Sequence, residues 1–398
     1  MLQRLKTFDF TLLFAPIALV SFGTVMVYSA SMVYGPVVLD VPSNHYLVRQ
    51  LQWMTLGVIV LFLISMFPYR HLKRLSKLSV LLMILLLVGL FFFGSTVNNA
   101  RSWYDLGPMS FQPAEFVKIG IIIYLASVYA NKRKYIGDFA KAVLPPLVII
   151  SVLLGLIILQ PDIGSAAIIG LLASIIIMNS GIKGKHILLL TVVTGGILLL
   201  AGSQLITDER LNRFSGAYQP FESPDSDGYH LIQSYVAIAT GGITGEGLGQ
   251  GVQKLGYLPE PHTDFIMAVI AEELGFIGVI ITVGLLATIV LRGLYISWRC
   301  KDAFGSLLAL GISSLFAIQA FINLGAMSGL LPITGVTLPL VSYGGSSLLI
   351  MMASLGILNN IARTVKVKEE ERQETHEPLR QQPVQQRTKP QGVRRWQS

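Results

Sequence analysis

The sequence contains few charged residues for its length. Only 13% of its 398 residues are Asp, Glu, Lys or Arg, whereas soluble domains average about a quarter. Hydrophobic residues make up 53% of the chain. Together these proportions exclude a soluble globular protein and predict an integral membrane protein.

Cysteine is nearly absent, and histidine is rare. The single cysteine, Cys300, excludes an internal disulfide framework and a cysteine-cluster metal site. His262 has no second histidine at the spacing of metal ligands, so we expect no metal site built by the protein.

The net charge of +8 does not indicate a nucleic-acid partner. Most of the 30 Lys and Arg residues lie in the C-terminal tail and in short loops. Counting the apolar segments between these loops places them all on the same side of the membrane as the tail. This distribution follows the positive-inside rule and predicts that both termini are cytoplasmic. The first apolar run has the length of a membrane span, so we interpret it as a span and not as a cleaved signal.

Apolar runs of spanning length divide the chain into ten predicted transmembrane helices. We therefore predict an all-α polytopic membrane protein, with a ten-span domain over residues 1–362 and a disordered cytoplasmic tail over 363–398. A basic turn at 68–77 is predicted on the inside. A large outer loop at 206–263 separates spans seven and eight, and its apolar stretch at 231–240 is too short to cross, so it is re-entrant or interfacial. Seven of the predicted spans lie at about 10–30, 51–67, 78–94, 144–159, 187–205, 264–291 and 305–325. The fourth span follows the outer loop that carries Arg101, the sixth ends near 178 and the tenth ends near 360.

The glycine-rich stretch at 241–251 superficially resembles a phosphate-binding loop. No strand precedes it and no βαβ unit surrounds it. We therefore favour a flexible turn that packs close to other backbone.

Ionisable residues cluster where the eighth span begins, and charge entering a membrane segment is a hypothesis for a functional site. The cluster contains Glu260, His262, Asp264, Glu272 and Glu273. If one helix runs from Asp264, Glu272 lies about 12 Å deeper; alternatively both glutamates lie near the outer boundary. Asp264 or Thr263 could instead cap the helix, and His262 could have a structural role.

A second group of charges precedes and enters the fourth span. It contains Arg101, Glu115 and Lys118; the last two are neighbours on one helix face, so a local ion pair is the alternative to a binding role. Trp103 and Tyr104 have the character of interfacial aromatics. The proline- and glycine-rich segment at 327–347 predicts a broken entry into the tenth span that lines the same outer cavity.

Seven short motifs are spread along the chain: M-V-Y-S-A-S from Met26, A-R-S-W from Ala100, Q-P-A-E-F-V-K from Gln112, Q-P-D from Gln160, L-P-E-P-H-T-D-F-I from Leu258, A-E-E-L-G from Ala271 and L-P-L-V-S-Y-G-G-S-S from Leu338. Together they resemble the motifs of the SEDS family (shape, elongation, division and sporulation) of bacterial membrane proteins, most closely its division branch. The elongation and sporulation branches are alternatives.

The resemblance implies a ten-span peptidoglycan glycosyltransferase that uses lipid II in the bacterial cell membrane, at the division septum. It implies that Asp264 is an essential acidic residue and that Arg101, Glu115 and Lys118 are charged positions of the outer cavity. It also implies a class B penicillin-binding protein and other division proteins as partners.

Glycan extension requires a base for the attacking sugar hydroxyl and positive charge near the departing pyrophosphate. We predict Asp264 as the base of an inverting reaction. A divalent cation, magnesium or manganese, is the candidate cofactor, bound with the pyrophosphate. The alternatives are a lipid II flippase and a non-catalytic division scaffold. The predicted substrate-binding residues are Arg101, Glu115, Lys118, Arg210 and His262.

Overall fold

A computed structural model describes residues 8–97, 100–107, 109–186, 188–189 and 208–376. In this part of the chain, eight helical segments are long and apolar enough to cross a membrane. They are α1 (Thr11–Ser31), α3 (His45–Met66), α4 (Arg70–Phe93), α5 (Pro113–Lys132), a π turn (Phe139–Val143) joined to α6 (Leu144–Ile158), α10 (Ile266–Arg299), α11 (Ala303–Met327) and α12 (Gly345–His376).

Shorter helices connect these segments. They are α2 (Tyr34–Leu39), α7 (Ile163–Asn179), which is apolar, and α8 (Asp208–Tyr218) and α9 (Tyr229–Gly241) in the predicted outer loop. The predicted seventh span, 187–205, lies almost entirely outside the described residues. The count of ten spans and the cytoplasmic position of both termini therefore stay predictions.

Three helices form the centre of the bundle. The spanning stretch of α5 is 72% buried, and those of α11 and α12 are each 67% buried, whereas the values for α3 and α4 are 17% and 22%. Accordingly, α3 and α4 expose large apolar side chains along most of their length. Such a ring of exposed apolar residues around a packed centre suits contact with lipid.

The predicted basic turn at 68–77 is largely helical. The chain turns only between Met66 and Arg70, where Pro68 interrupts the helix. The lysines and arginines that follow belong to the first two turns of α4, because both residue types favour helix once a turn has ended.

The chain also stays helical where the sequence analysis expects the disordered tail to begin. Helix α12 continues through residues 363–376, and Arg299 Nη1 lies 3.3 Å from Glu369 Oε1. The segment is rich in Lys, Glu, Arg and Gln, which favour helix, and it extends an existing helix without a new nucleation step. Residues 377–398 lie outside the described part of the chain.

A small antiparallel sheet interrupts the all-α pattern between α4 and α5. Its strands, in the order β1 (Ser95–Val97), β2 (Ala100–Asp105) and β3 (Ser110–Phe111), pair Ser95 with Trp103 and Tyr104 with Phe111. The sequence analysis does not predict it. The Tyr104 hydroxyl donates a 2.8 Å hydrogen bond to the carbonyl of Leu86, which attaches the sheet to α4.

Candidate active site

Asp264 lies in the turn that precedes α10 and faces a narrow pocket. The pocket has a volume of about 10 Å³, close to the space that one water molecule needs. A Cβ atom added to Gly335, whose φ is +70°, would lie 3.7 Å from Asp264 Oδ2. The lining residues come from the turn before α10, from α11 and from the segment after α11: Asp264, Phe265, Asn323, Ala326, Met327, Ile333, Thr334, Gly335 and Val336.

The carboxylate of Asp264 does not cap α10. The N-cap residue is Phe265, and no side chain makes a cap hydrogen bond there. Of the two roles that the sequence left open for Asp264, the structure therefore disfavours the helix cap. The carboxylate remains directed to the pocket.

Burial raises the pKa of Asp264 from its ordinary value to about 7, and the negative charge of Glu260 acts in the same direction. A general base works best when its pKa is near the working pH. The electrostatics of the pocket thus suit a group that exchanges a proton near neutral pH.

A single amide holds the two walls of the pocket together. Asn323 Nδ2 of α11 donates to the backbone carbonyls of Asp264 and Val336, each at 2.8 Å. Asn323 is buried. It thereby fixes the backbone of Asp264 relative to the opposite wall.

The segment between α11 and α12 is non-helical, and it also holds the Asp264 turn in place. Ser342 Oγ donates to the carbonyl of Thr263 at 2.6 Å, and the Tyr343 N–H donates to the carbonyl of His262 at 2.9 Å. These contacts, with Thr334 to Val336 in the pocket wall, confirm the predicted broken segment at 327–347 beside Asp264.

Lys118 and Glu115 form a buried ion pair with an Nζ–Oε1 distance of 2.7 Å. Lys118 Nζ also donates to Gln319 Oε1 at 3.1 Å, and Gln319 Nε2 donates to the carbonyl of Thr337 at 3.2 Å. The local ion pair that the spacing suggested is therefore present. It lies between α5 and α11, away from direct contact with the pocket around Asp264.

The sequence analysis missed the linking role of Gln319 and Asn323. Four residues apart, they lie on one face of α11 and connect the Lys118 pair and the Asp264 turn to the same segment. The sequence did contain a signal for this role. Two amide side chains stand in an apolar span, and polar groups at such positions need hydrogen-bond partners.

His262 is buried beneath the site. Its ring lies 4.4 Å from that of Tyr46, 5.0 Å from that of Tyr34 and 5.8 Å from that of Tyr343. Burial lowers the pKa of His262 to about 4, so the ring is neutral near pH 7. This placement shows that His262 packs among aromatic side chains, and its predicted contact with substrate stays a prediction.

The structure shows no contact between the pocket and the two predicted arginines, Arg101 and Arg210, within the residues that it describes. Arg101 is exposed, and its Nε donates to the carbonyl of Gly94 at 2.9 Å, where α4 meets the small sheet. Arg210 belongs to α8, and its side chain lies outside what the structure describes.

The two glutamates of α10 bind the glycine-rich loop of their own chain. Glu272 Oε1 accepts from the N–H groups of Val252 at 2.7 Å and Gln253 at 3.0 Å. Glu273 Oε2 accepts from the N–H of Gly249 at 2.9 Å. Backbone N–H groups in and directly after this loop therefore bind carboxylates of the same chain.

Close packing explains two glycines of this loop, Gly241 and Gly245. A Cβ atom on Gly241 would overlap the carbonyl of Ala271, and one on Gly245 would overlap that of Glu273. This confirms the interpretation of 241–251 as a turn packed against backbone. Helix α10 is broken at Gly275, with φ +63°, so both glutamates end its first, short part.

A buried cation, Lys254, joins the contacts between Glu273 and the glycine-rich loop; we call this group the anchor. Lys254 Nζ forms an ion pair with Glu273 and donates to Ser29 Oγ of α1 at 2.8 Å. Ser29 Oγ in turn lies 2.7 Å from Glu273 Oε1. The anchor fixes the start of the stretch that ends in Asp264.

Comparison with known proteins decides the family. Residues 10–367 match the family model for FtsW, RodA and SpoVE, described as cell cycle protein. The chain belongs to the FtsW/RodA/SpoVE family. This confirms the SEDS resemblance and shows that the fold is that of a polytopic helical membrane protein.

Relatives in the FtsW/RodA/SpoVE family align over almost the full chain. The probable peptidoglycan glycosyltransferase FtsW of Bacillus subtilis is 48% identical over 95% of both chains. Stage V sporulation protein E of Bacillus subtilis is 38% identical, over 89% of this chain and 97% of the other.

Solved structures of the family share the fold. A chain of a peptidoglycan synthase complex that coordinates polymerization and crosslinking is 28% identical, with a TM-score of 0.74 over 90% of this chain and 98% of the other. The rod shape determining protein RodA of Thermus thermophilus is also 28% identical, with a TM-score of 0.65 over 89% and 97%.

Proposed function

We propose that this chain is a peptidoglycan glycosyltransferase that polymerises lipid II at the outer face of the bacterial cell membrane, for septal wall synthesis. The observation that carries the proposal is the carboxyl group of Asp264, which lines the pocket and does not cap α10. Burial raises its pKa to about 7. The 48% identity to an FtsW, against 38% to a sporulation protein, favours the division role.

In the proposed reaction a sugar hydroxyl attacks the anomeric carbon of a lipid-linked sugar. A new C–O bond forms while the bond from that carbon to the pyrophosphate oxygen breaks, and the pyrophosphate leaves with the electron pair. Asp264 accepts the hydroxyl proton. One displacement inverts the anomeric carbon and needs one base, without a glycosyl-enzyme intermediate.

Positive charge for the leaving group does not come from Lys118 alone, because Glu115 already neutralises it. Within the described residues, no group of three or more His, Cys, Asp or Glu side chains is placed to hold a metal ion. We therefore propose that a magnesium or manganese ion, if used, is held chiefly by the pyrophosphate, whose developing charge it would offset.

We further propose a class B penicillin-binding protein as partner, together with other division proteins. Support comes from the structural neighbour, which belongs to a complex that coordinates polymerization and crosslinking. Such a partner would supply the crosslinking activity.

Polymerisation of lipid II in detergent tests the function. The purified chain, with its division partner, is expected to convert lipid II into long glycan that an added muramidase digests. Transport across a bilayer has no meaning in detergent, so product formation there excludes a purely transporting role. A protein that binds lipid II and its partner but makes no glycan would support the flippase or scaffold alternative.

The rate is expected to rise with pH through about 7. Only the ionised form of Asp264 can accept a proton, and burial raises the pKa at which this form appears to about 7. Below that value kcat/KM is expected to fall about tenfold per pH unit. Initial rates between about pH 5.5 and 8.5 measure this; a flat profile over that range contradicts the base assignment.

A further inference from the structure

Glu260 has a left-handed backbone conformation with φ +46°. It stands between Pro259 and Pro261, and a residue before proline is already restricted in its backbone angles. Such strain costs free energy in a residue with a Cβ atom and occurs preferentially at functional sites. Glycine would adopt this conformation at no steric cost. The backbone therefore gives no reason for a glutamate here, and the reason must lie in its side chain.

A tight turn holds this side chain against Thr263. Thr263 Oγ1 lies 3.1 Å from Glu260 Oε2 and 3.1 Å from the Glu260 carbonyl oxygen, and the Thr263 N–H donates to the same carbonyl at 3.2 Å. Ser342 fixes Thr263 from the other side. The turn thus places one carboxylate beside the residue that immediately precedes Asp264.

Titratable and charged groups from several elements surround Glu260. Its negative charge raises the pKa of Tyr34, which burial also raises, and opposes the lowering of the His230 pKa by burial. Its charge also adds to the effect of burial on Asp264. The titratable groups that the charge of Glu260 reaches are Asp264 on its own segment, Tyr34 of α2, Tyr46 of α3 and His230 of α9. Arg49 of α3 acts on Tyr46 and donates a hydrogen bond to Tyr343.

We propose that Glu260 is a second functional carboxylate of this site, a positioning residue whose charge acts on Asp264. Its carboxylate is held beside Thr263, the residue before Asp264, and two negative charges so placed repel each other, so Asp264 holds its proton to a higher pH than it would alone. The inference rests on the proposed function, because it needs Asp264 to act as the base.

The pH–rate profile of Glu260→Gln tests this proposal. Lipid II polymerisation by the purified full chain is measured as kcat/KM against pH. Loss of the charge is expected to move the midpoint to lower pH by about half a unit to one unit. At a pH well below the midpoint, the variant then keeps about three- to tenfold more of its own maximal rate than the unaltered chain.

Two controls separate the charge from the side chain itself. Glu260→Asp keeps the charge and is expected to keep the midpoint. Glu246→Gln removes a charge from the exposed part of the glycine-rich loop and is expected to leave the midpoint unchanged.

A glycine variant guards against misfolding of the glutamine variant. Glu260→Gly removes the charge and also the backbone strain, so it is expected to lower the midpoint while raising the unfolding temperature. If both charge-removing variants keep the original midpoint, the proposal is overturned even when their rates fall, because a merely structural role lowers the rate at every pH.

Asp264→Asn, assayed in parallel, distinguishes the two levels of inference. Loss of activity in that variant, with no midpoint shift in the Glu260 variants, contradicts the role of Glu260 alone. Retained activity in Asp264→Asn contradicts the base role of Asp264 on which the inference rests, whereas no glycan from the unaltered chain contradicts the proposed function.

Discussion

Asp264→Asn is expected to abolish measurable glycan synthesis while leaving the fold intact. An amide at this position cannot accept the hydroxyl proton at neutral pH, and loss of a general base costs about 10²- to 10⁴-fold in rate. Asn323 contacts the backbone carbonyl of Asp264 and not its carboxylate, so this contact survives the change. The measurement is the initial rate of lipid II polymerisation, with the unfolding temperature and partner binding recorded on the same sample.

Two further variants sharpen this experiment. Asp264→Glu keeps the charge but displaces the carboxylate, and a misplacement of about 1 Å can cost 10²-fold in rate. Asp225→Asn makes the same chemical change at an exposed position of the predicted outer loop and is expected to behave as the unaltered chain does. Near-normal polymerisation by Asp264→Asn would remove the base assignment, while the glycan formed would still show polymerase activity.

Lys254→Met is expected to destabilise the protein by about 3–5 kcal/mol, because it leaves the charge of Glu273 buried without its cation. Both side chains of this pair are almost fully buried, at 1% and 0% exposure. The double variant Lys254→Met with Glu273→Gln is expected to be more stable than Lys254→Met alone. Glutamine keeps an acceptor for Ser29 and for the N–H of Gly249 but carries no charge to strand.

Thermal unfolding in detergent at one scan rate measures these differences. The exposed pair of Lys141 and Asp138, at 72% and 43% exposure, provides the control. Lys141→Met is expected to change stability by less than about 1 kcal/mol. If the double variant is as unstable as the sum of its single variants, the two residues do not act as a pair.

Hydropathy predicted most of the described spans because a membrane imposes a strong requirement on composition. Each crossing helix satisfies its own backbone, and its length is set by the bilayer. The same reasoning placed Asp264 at the entrance of a span, where an ionisable residue is costly. These predictions depend on local sequence, which is why the structure bears out the helix locations.

Contacts between distant parts of the chain could not be predicted in this way. Gln319 meets Lys118 across 201 positions of sequence, and Asn323 meets Asp264 across 59. The positions of Glu272 and Glu273 along the span depend on the break of α10 at Gly275. The cause of that break is the close contact of Gly275 with the backbone of the glycine-rich loop, which is visible only in the structure.

Two other differences between prediction and structure, the small sheet and the helical continuation after residue 362, have local causes. The small sheet is too short to give a clear alternating pattern, although Trp103 and Tyr104 favour strands. The charged composition after residue 362 indicated disorder, yet the same residue types favour helix when they continue one.

The bonds of Ser29 constrain the order in which the protein is completed during synthesis. Ser29 is in the first helix, and its partners Lys254 and Glu273 follow it by 225 and 244 residues. A chain growing from its N-terminus has no native partner for this hydroxyl until most of the bundle has been inserted. Until then the hydroxyl can bond to a backbone carbonyl within α1. The stretch that carries Asp264 is therefore anchored late, so a chain that ends before α10 has its first helix but lacks the contacts of Ser29 with Glu273.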